Sequence, residues 1–329
     1  MRKKVMIACA AAALVVSSGA WLLGRAPAPA GKASSGAFAV PSAAARKRAI
    51  GQTRALPREL QRAYDPAGFA PIDAPGPHDW LARFPEPGQT FDDFARSDFI
   101  RPRGARRRIV LQPIGDFAAG RSPSLSDLRD FAAAFFGLEL RLLEPEPLGA
   151  GIETRRNPYS GHFQALSTDL LDFLKRRLPA DAVCLLGVTM IDLYPQADWN
   201  FVFGQASLRE RVGVFSFARY DPAFYGQERG PDFATELLRR SCKVLSHETG
   251  HMFGLLHCTY FQCGMCGSMH LEESDRRPIH LCPICLRKLQ HACGFDPISR
   301  YERLRAFYER VGMRAEADWV ARRLKWIRG

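Results

Sequence analysis

The stretch that most constrains this chain is HETGHMFGLLH, His247 to His257, because it sets three imidazoles and one carboxylate at the spacing that a single metal ion needs. At 3.6 residues per turn, His247 and His251 project from one helix face, and Glu248 stands about 100° around the axis from the first of them. The two histidines can grip a zinc ion, while Glu248 can serve as general base on a zinc-bound water without ligating the metal. Gly254 is the residue best able to end the helix in a left-handed conformation, which brings His257 back as a third ligand. Three protein ligands leave a fourth position open, as in catalytic sites; structural sites are closed by four.

At 329 residues the chain can bury a substantial core without disulfides. Residues Val5 to Leu23 form an uncharged run of nineteen behind Arg2, Lys3 and Lys4, which reads as a signal peptide or N-terminal membrane anchor over residues 1–24. Ser18 and Ala20 supply small residues before Trp21, as cleavage requires. Either version places the rest of the chain outside the cytoplasm, secreted or anchored, with membrane contact only through this segment. Residues 25–57 are rich in alanine, proline, glycine and serine, carry the basic patch Arg46, Lys47 and Arg48, and read as a flexible linker. The folded domain is expected over 58–329. Of the twelve surplus positive charges, Arg2, Lys3, Lys4 and Arg25 account for four, leaving +8. Arg101, Arg103, Arg106, Arg107 and Arg108 read as a solvated face, since no aromatic residues interleave with them to stack on bases. No specific nucleic acid is expected.

The element order implies an α/β domain. RIVLQPI (108–114) reads as a strand, Ser124 to Phe136 as a helix capped by Ser124 and Asp127, and Leu138 to Leu143 as a second strand. A helix from about Thr168 to Arg177 leads to AVCLLGVTMIDLY, whose continuous apolar character suits one central strand. This alternation predicts a largely parallel sheet covered by helices. Asn200 to Ala206 and Val212 to Ala218 are separated by a hairpin-length link, so one of them is expected to run antiparallel at an edge. Pro231 opens a long helix to about Phe253, and two amphipathic helices follow residue 296.

Six cysteines, Cys258, Cys263, Cys266, Cys282, Cys285 and Cys293, fall within thirty-six residues and argue for a thiolate-bound structural zinc, with disulfides as the competing reading in an exported chain. Spacing offers two ligand sets. Cys263 and Cys266 with Cys282 and Cys285 make a pair of CxxC motifs, which spacing alone prefers; Cys258 and Cys263 with Cys282 and Cys285 use a looser first pair.

HETGHMFGLLHC, then CGM, then GSMHLEESDRRPIHLCPICLRKLQ, resemble the archaemetzincin (archaelysin) family of zinc metallopeptidases in the metzincin clan. DLYPQADWNFVFGQASL, VGVFSFARY and LLRRSCKVLSHE extend the likeness over roughly residues 60 to 326. The resemblance implies a metzincin-like zincin fold: a twisted, mixed five-stranded sheet and long helices above a cleft, with a smaller zinc-braced C-terminal lobe. It implies two zinc ions, one catalytic on His247, His251 and His257 and one structural on Cys258, Cys263, Cys282 and Cys285, with Glu248 as base and Met265 as the methionine of the turn under the metal. It implies hydrolysis of peptide or protein substrates, with the aminopeptidase-like character of the animal members. Cys266 then becomes an extra thiol, and Met269 stands where an asparagine is expected in those members. The rival is a non-enzymatic zinc protein that binds nucleic acid or a partner through its cysteine cluster and basic surface. Glu248 weighs against it, because a purely structural metal has no use for a base.

Overall fold

A computed structural model describes residues 37–207 and 210–329. The apolar run Val5 to Leu23 and the first part of the expected linker lie outside the described residues. Among these, no helix is long and apolar enough to cross a membrane.

The expected linker does not run to residue 57. Helix α1 (Ala43–Ile50) forms inside it, with the Ser42 hydroxyl accepting the Ala45 N–H at 3.2 Å. Alanine reads as linker composition, yet it is also the best helix former, and here Ala49 and Ile50 are buried. Arg287 fastens this end by donating to the carbonyls of Ile50 and Gln52. Three short helices follow, α2 (Arg58–Ala63), α3 (Trp80–Arg83) and α4 (Phe91–Arg96), the last opened by a capping box between Thr90 and Asp93.

Strand β1 (Arg108–Ile114) leads to α5 (Leu125–Phe136) and β2 (Glu139–Leu142), then to β3 (Thr154–Arg156), β4 (Phe163–Leu166) and α6 (Ser167–Arg177). Next come β5 (Ala182–Thr189), β6 (Asp192–Tyr194), β7 (Gly204–Ser207) and β8 (Val212–Ser216). Five strands form one mixed sheet in the order β2-β1-β5-β8-β7. β1 is parallel to β2 and β5, and β5 to β8; β7 is antiparallel to β8 and lies at the edge, as the hairpin-length link requires. Alternation sorts the core. Ile109, Leu111 and Leu186 pack with α5 residues such as Leu128 and Phe131, whereas Val110, Leu185 and Val214 pack with Leu170 and Leu174 of α6. The sheet is therefore covered on both faces, which explains the uninterrupted apolar run in β5.

That run does not continue as one strand through Tyr194. β5 stops at Thr189, where the side-chain oxygen accepts the Ile191 N–H at 3.0 Å and turns the chain. β6 then joins a second, three-stranded sheet in the order β3-β4-β6. The expected basic face is partly engaged: Arg108 pairs with Glu139 and Asp181, and Arg101 lies over the Phe99 ring.

The long helix α7 (Phe233–Met252) carries the first two histidines. After it come α8 (Leu271–Arg276), α9 (Pro283–Cys293), α10 (Pro297–Arg310) and α11 (Arg314–Arg328). The last two dock onto the domain, burying Leu304, Phe307, Val320, Leu324 and Ile327.

Candidate metal centre

Helix α7 ends where the sequence demands. Gly254 sits at φ +85°, its N–H donating to the His251 carbonyl at 2.8 Å and the Leu255 N–H to the Gly250 carbonyl at 3.1 Å. This turn returns His257 to the helix, so that one ligating atom from each of His247, His251 and His257 falls within 4.8 Å of the others. The tautomers are fixed by carbonyl acceptors, which can only receive a proton. His247 Nδ1 donates to the Gly264 carbonyl at 2.8 Å and His251 Nδ1 to the Leu255 carbonyl at 2.6 Å. Burial also holds both imidazoles neutral, pushing His251 down to about 3 and His247 well below its ordinary range. Their Nε2 atoms stand 3.0 Å apart, then, with a lone pair on each and no proton to share. Two facing lone pairs repel unless a cation lies between them, and neutral imidazole nitrogens are what zinc prefers.

Glu248 adds a second demand. It is 1% exposed, and its Oε2 has no hydrogen-bond partner among the described residues. Burial raises its pKa well above the carboxylate range. A lone buried carboxylate is costly unless a cation or a substrate completes its surroundings. The histidines and this oxygen thus fit a zinc ion. His247 and Glu248 border a cleft that opens to solvent, walled by Trp80, Phe203, Tyr220 and Val244. Lys243 stands deeper, pulled down to about 7 by burial, its Nζ donating to the carbonyls of Ser274 and Arg277 at the end of α8.

Beneath the histidines, Met265 packs against Gly250, where a Cβ would lie 2.6 Å from the methionine sulfur. We expect Gly250→Ala to cost about 1–3 kcal/mol by overpacking, read as a lower melting temperature of the metal-free protein. An unchanged melt would mean that Met265 moves aside freely.

Of the two cysteine sets, the fold brings together Cys258, Cys263, Cys282 and Cys285, with all four sulfurs within 4.8 Å of one another and Cys258 to Cys282 at 3.5 Å. The Cys263 sulfur accepts N–H groups from Cys282 and Met265 at 3.2 and 3.4 Å, contacts that favour a thiolate against the burial that pushes this thiol well above its ordinary range. Cys266 stands outside the quartet with its sulfur toward the Phe261 carbonyl at 3.3 Å. The spacing preference for a pair of CxxC motifs therefore does not describe the arrangement, because the turn from Cys258 to Met265 folds Cys258 inward. All the described cysteines are free thiols.

A third cluster, Asp79, His270 and Glu273, has ligand-like proximity, but its carboxylates are already taken. Asp79 accepts from Gly76 N–H and Arg276; Glu273 accepts the N–H groups of Trp80 and Met269. With Arg276 and Arg277 alongside, it is a structural network. Sequence reasoning missed Trp80 and Glu86, which reach the cleft or the histidines from a distant segment and carry no local motif, and it gave no role to Tyr220, the last residue of VGVFSFARY, which also walls the cleft.

The model of Peptidase family M54 matches residues 150–291. Archaemetzincin-2 of Macaca fascicularis is 43% identical over 277 residues, spanning 75% of this chain and 77% of that protein. Archaemetzincin-2 of Homo sapiens is 42% identical over the same length and shares. Among solved structures, an archaemetzincin from Methanopyrus kandleri matches with 32% identity and a TM-score of 0.44, covering 59% of this chain and 99% of that one.

Proposed function

Since the chain belongs to the archaemetzincin family of peptidases, family M54, we propose that it hydrolyses peptide bonds at a zinc ion held by His247, His251 and His257, with Glu248 as general base. The observation that carries this reading is the pair of neutral imidazoles whose Nε2 atoms face each other at 3.0 Å beside a buried carboxylate oxygen without a partner. Zinc bound there supplies a Lewis acid that polarises the scissile carbonyl and makes water a better nucleophile. Glu248 takes the proton from the attacking water at Oε2 and returns it to the leaving amine. Its burial raises its affinity for that proton. Trp80, Phe203 and Tyr220 keep the cleft partly apolar and limit competing water. Cys258, Cys263, Cys282 and Cys285 would hold a second, structural zinc.

An aminopeptidase-like preference belongs to this reading through the family resemblance. Apart from Glu248, the carboxylates near the cleft and the histidines are engaged: Asp79 by Arg276, Glu86 by His257, Glu273 by Trp80. The test is a mixed peptide library offered to the zinc-loaded protein, with each sequence made both free and acetylated at its N-terminus. Cleavage is expected. A loss of kcat/KM of about tenfold or more on acetylation, roughly 1.4 kcal/mol, supports the exopeptidase preference; equal rates on both sets dispose of it, and no cleavage of any peptide disposes of the peptidase reading.

Export is the remaining part. It rests on the run Val5 to Leu23 behind three basic residues. A reporter enzyme active only outside the cytoplasm, fused after residue 60, is expected to be active; silence would place the protein in the cytoplasm.

A further inference from the structure

The third histidine has a partner that lies far from it in sequence and outside the residues matched by the family model. His257 Nδ1 is 3.0 Å and 3.2 Å from the two oxygens of Glu86. A carboxylate can only accept when ionised, so His257 donates through Nδ1 and Nε2 is the nitrogen left to bind a metal, the same orientation that backbone carbonyls impose on His247 and His251. The other two histidines take a neutral carbonyl as acceptor, and His257 takes a full negative charge.

Glu86 is itself held in place. Trp80 Nε1 donates to its Oε1 at 2.9 Å, and the Trp80 ring meets the His257 ring edge-on with centroids 4.9 Å apart. Trp80 is seated against Gly267, where a Cβ would lie 2.7 Å from the indole, and its backbone N–H is fixed by Glu273. Three residues beyond Glu86, Gln89 accepts the Leu256 N–H at 3.1 Å and donates to the Gly254 carbonyl at 3.3 Å, while Lys288 anchors Gln89. The segment from Trp80 to Gln89 thus clasps the turn that delivers His257. The Glu86 carboxylate is not among the three ligand atoms of His247, His251 and His257 that lie close together.

We propose that Glu86 is a positioning residue of the catalytic metal centre: it orients His257, fixes its tautomer and makes its Nε2 a stronger donor, through a strap contributed by the N-terminal part of the domain. The inference rests on the zinc-peptidase reading above. Carboxylate partners of ligating histidines typically contribute 10- to 100-fold to metal affinity.

The experiment is a chelator competition on the full chain loaded with two zinc ions, comparing wild type with E86Q, together with the visible spectrum after cobalt replacement at the histidines. We expect E86Q to release the catalytic metal with a dissociation constant raised by about 10- to 100-fold and to shift the cobalt bands, while the cysteine-held zinc and the metal-free melting temperature stay as in wild type. A purely structural role moves the melting temperature and leaves the bands in place. A dissociation constant within about twofold of wild type, with unshifted bands, overturns the proposal. Should E86Q also shed the cysteine-held zinc, E86D, which keeps the charge, takes its place, with an expected weakening of about threefold or more and the same bound. Metal binding by wild type at the histidines, read in the same titration, reports on the peptidase reading separately.

Discussion

Glu248→Gln is expected to lower kcat by about 10²- to 10⁴-fold, the usual contribution of a positioned general base, with both zinc ions retained. The substitution keeps the shape of the side chain and leaves the three histidines untouched, so binding and folding survive while the proton acceptor is lost. Single-turnover cleavage with zinc content measured on the same sample checks it. Turnover equal to wild type would show that another group handles the proton. The same variant has a second signature in the metal-free protein. Burial raises the folded-state pKa of Glu248, so the folded protein binds a proton that the unfolded chain has released. Its stability then falls as pH rises from the ordinary glutamate range toward the raised folded value. Gln carries no such charge, so metal-free E248Q should melt above wild type near pH 7, and the difference should vanish as pH falls below the unfolded glutamate pKa.

Cys263→Ser should empty both metal pockets, where His247→Ala empties one. The segment from His257 to Met265 carries the third ligand of the proposed catalytic zinc, two sulfurs of the quartet, and the Gly264 carbonyl that fixes the His247 tautomer. The Cys258 N–H closes this loop on the Met265 carbonyl at 2.8 Å. A serine at 263 removes a ligand sulfur that also accepts two buried N–H groups and leaves a hydroxyl on a shorter bond in its place. Structural zinc sites contribute on the order of 10–16 kcal/mol of apparent binding energy, far more than the packing of one small loop. Its loss should therefore release His257 together with the cysteines. Zinc per chain by mass spectrometry should fall from two to near zero in C263S and to one in H247A; full retention of the catalytic zinc in C263S would show the two centres to be independent.

What could be read from the sequence was what is local. HETGHMFGLLH specifies its own helix and turn and brings its three histidines together within three turns of chain, and a glycine at φ +85° is where Gly254 was expected to turn. Strands β1, β2 and β5 show themselves because burial on alternating or both faces imprints a period on their residues. The second sheet leaves no such mark: β3 and β4 are only three and four residues long, too short to show a period, and β4 finds its parallel partner β6 on the far side of α6 and β5. Glu86 is 171 positions from His257, and WLARFPEPGQT carries no periodic or metal-binding signature. Helix α1 was hidden by a composition that serves linkers and helices alike. Spacing alone preferred Cys266 to Cys258, and the backbone path of the turn, which spacing does not encode, brings Cys258 into the quartet instead.

His257 and Cys258 are consecutive residues, so their Cα atoms stand about 3.8 Å apart, with one side chain facing each metal pocket. With a divalent ion bound there as proposed, the four thiolates would amount to a compact anion of net charge −2, buried away from solvent and joined to the third histidine by a single peptide unit. Burial weakens the screening that salt gives an exposed charge. The proposed histidine site would then work against a negative background, which strengthens a hold on a cation and tempers its electrophilicity. A change in the charge of the quartet, by oxidation or by loss of its ion, would reach the histidines without any rearrangement of the cleft.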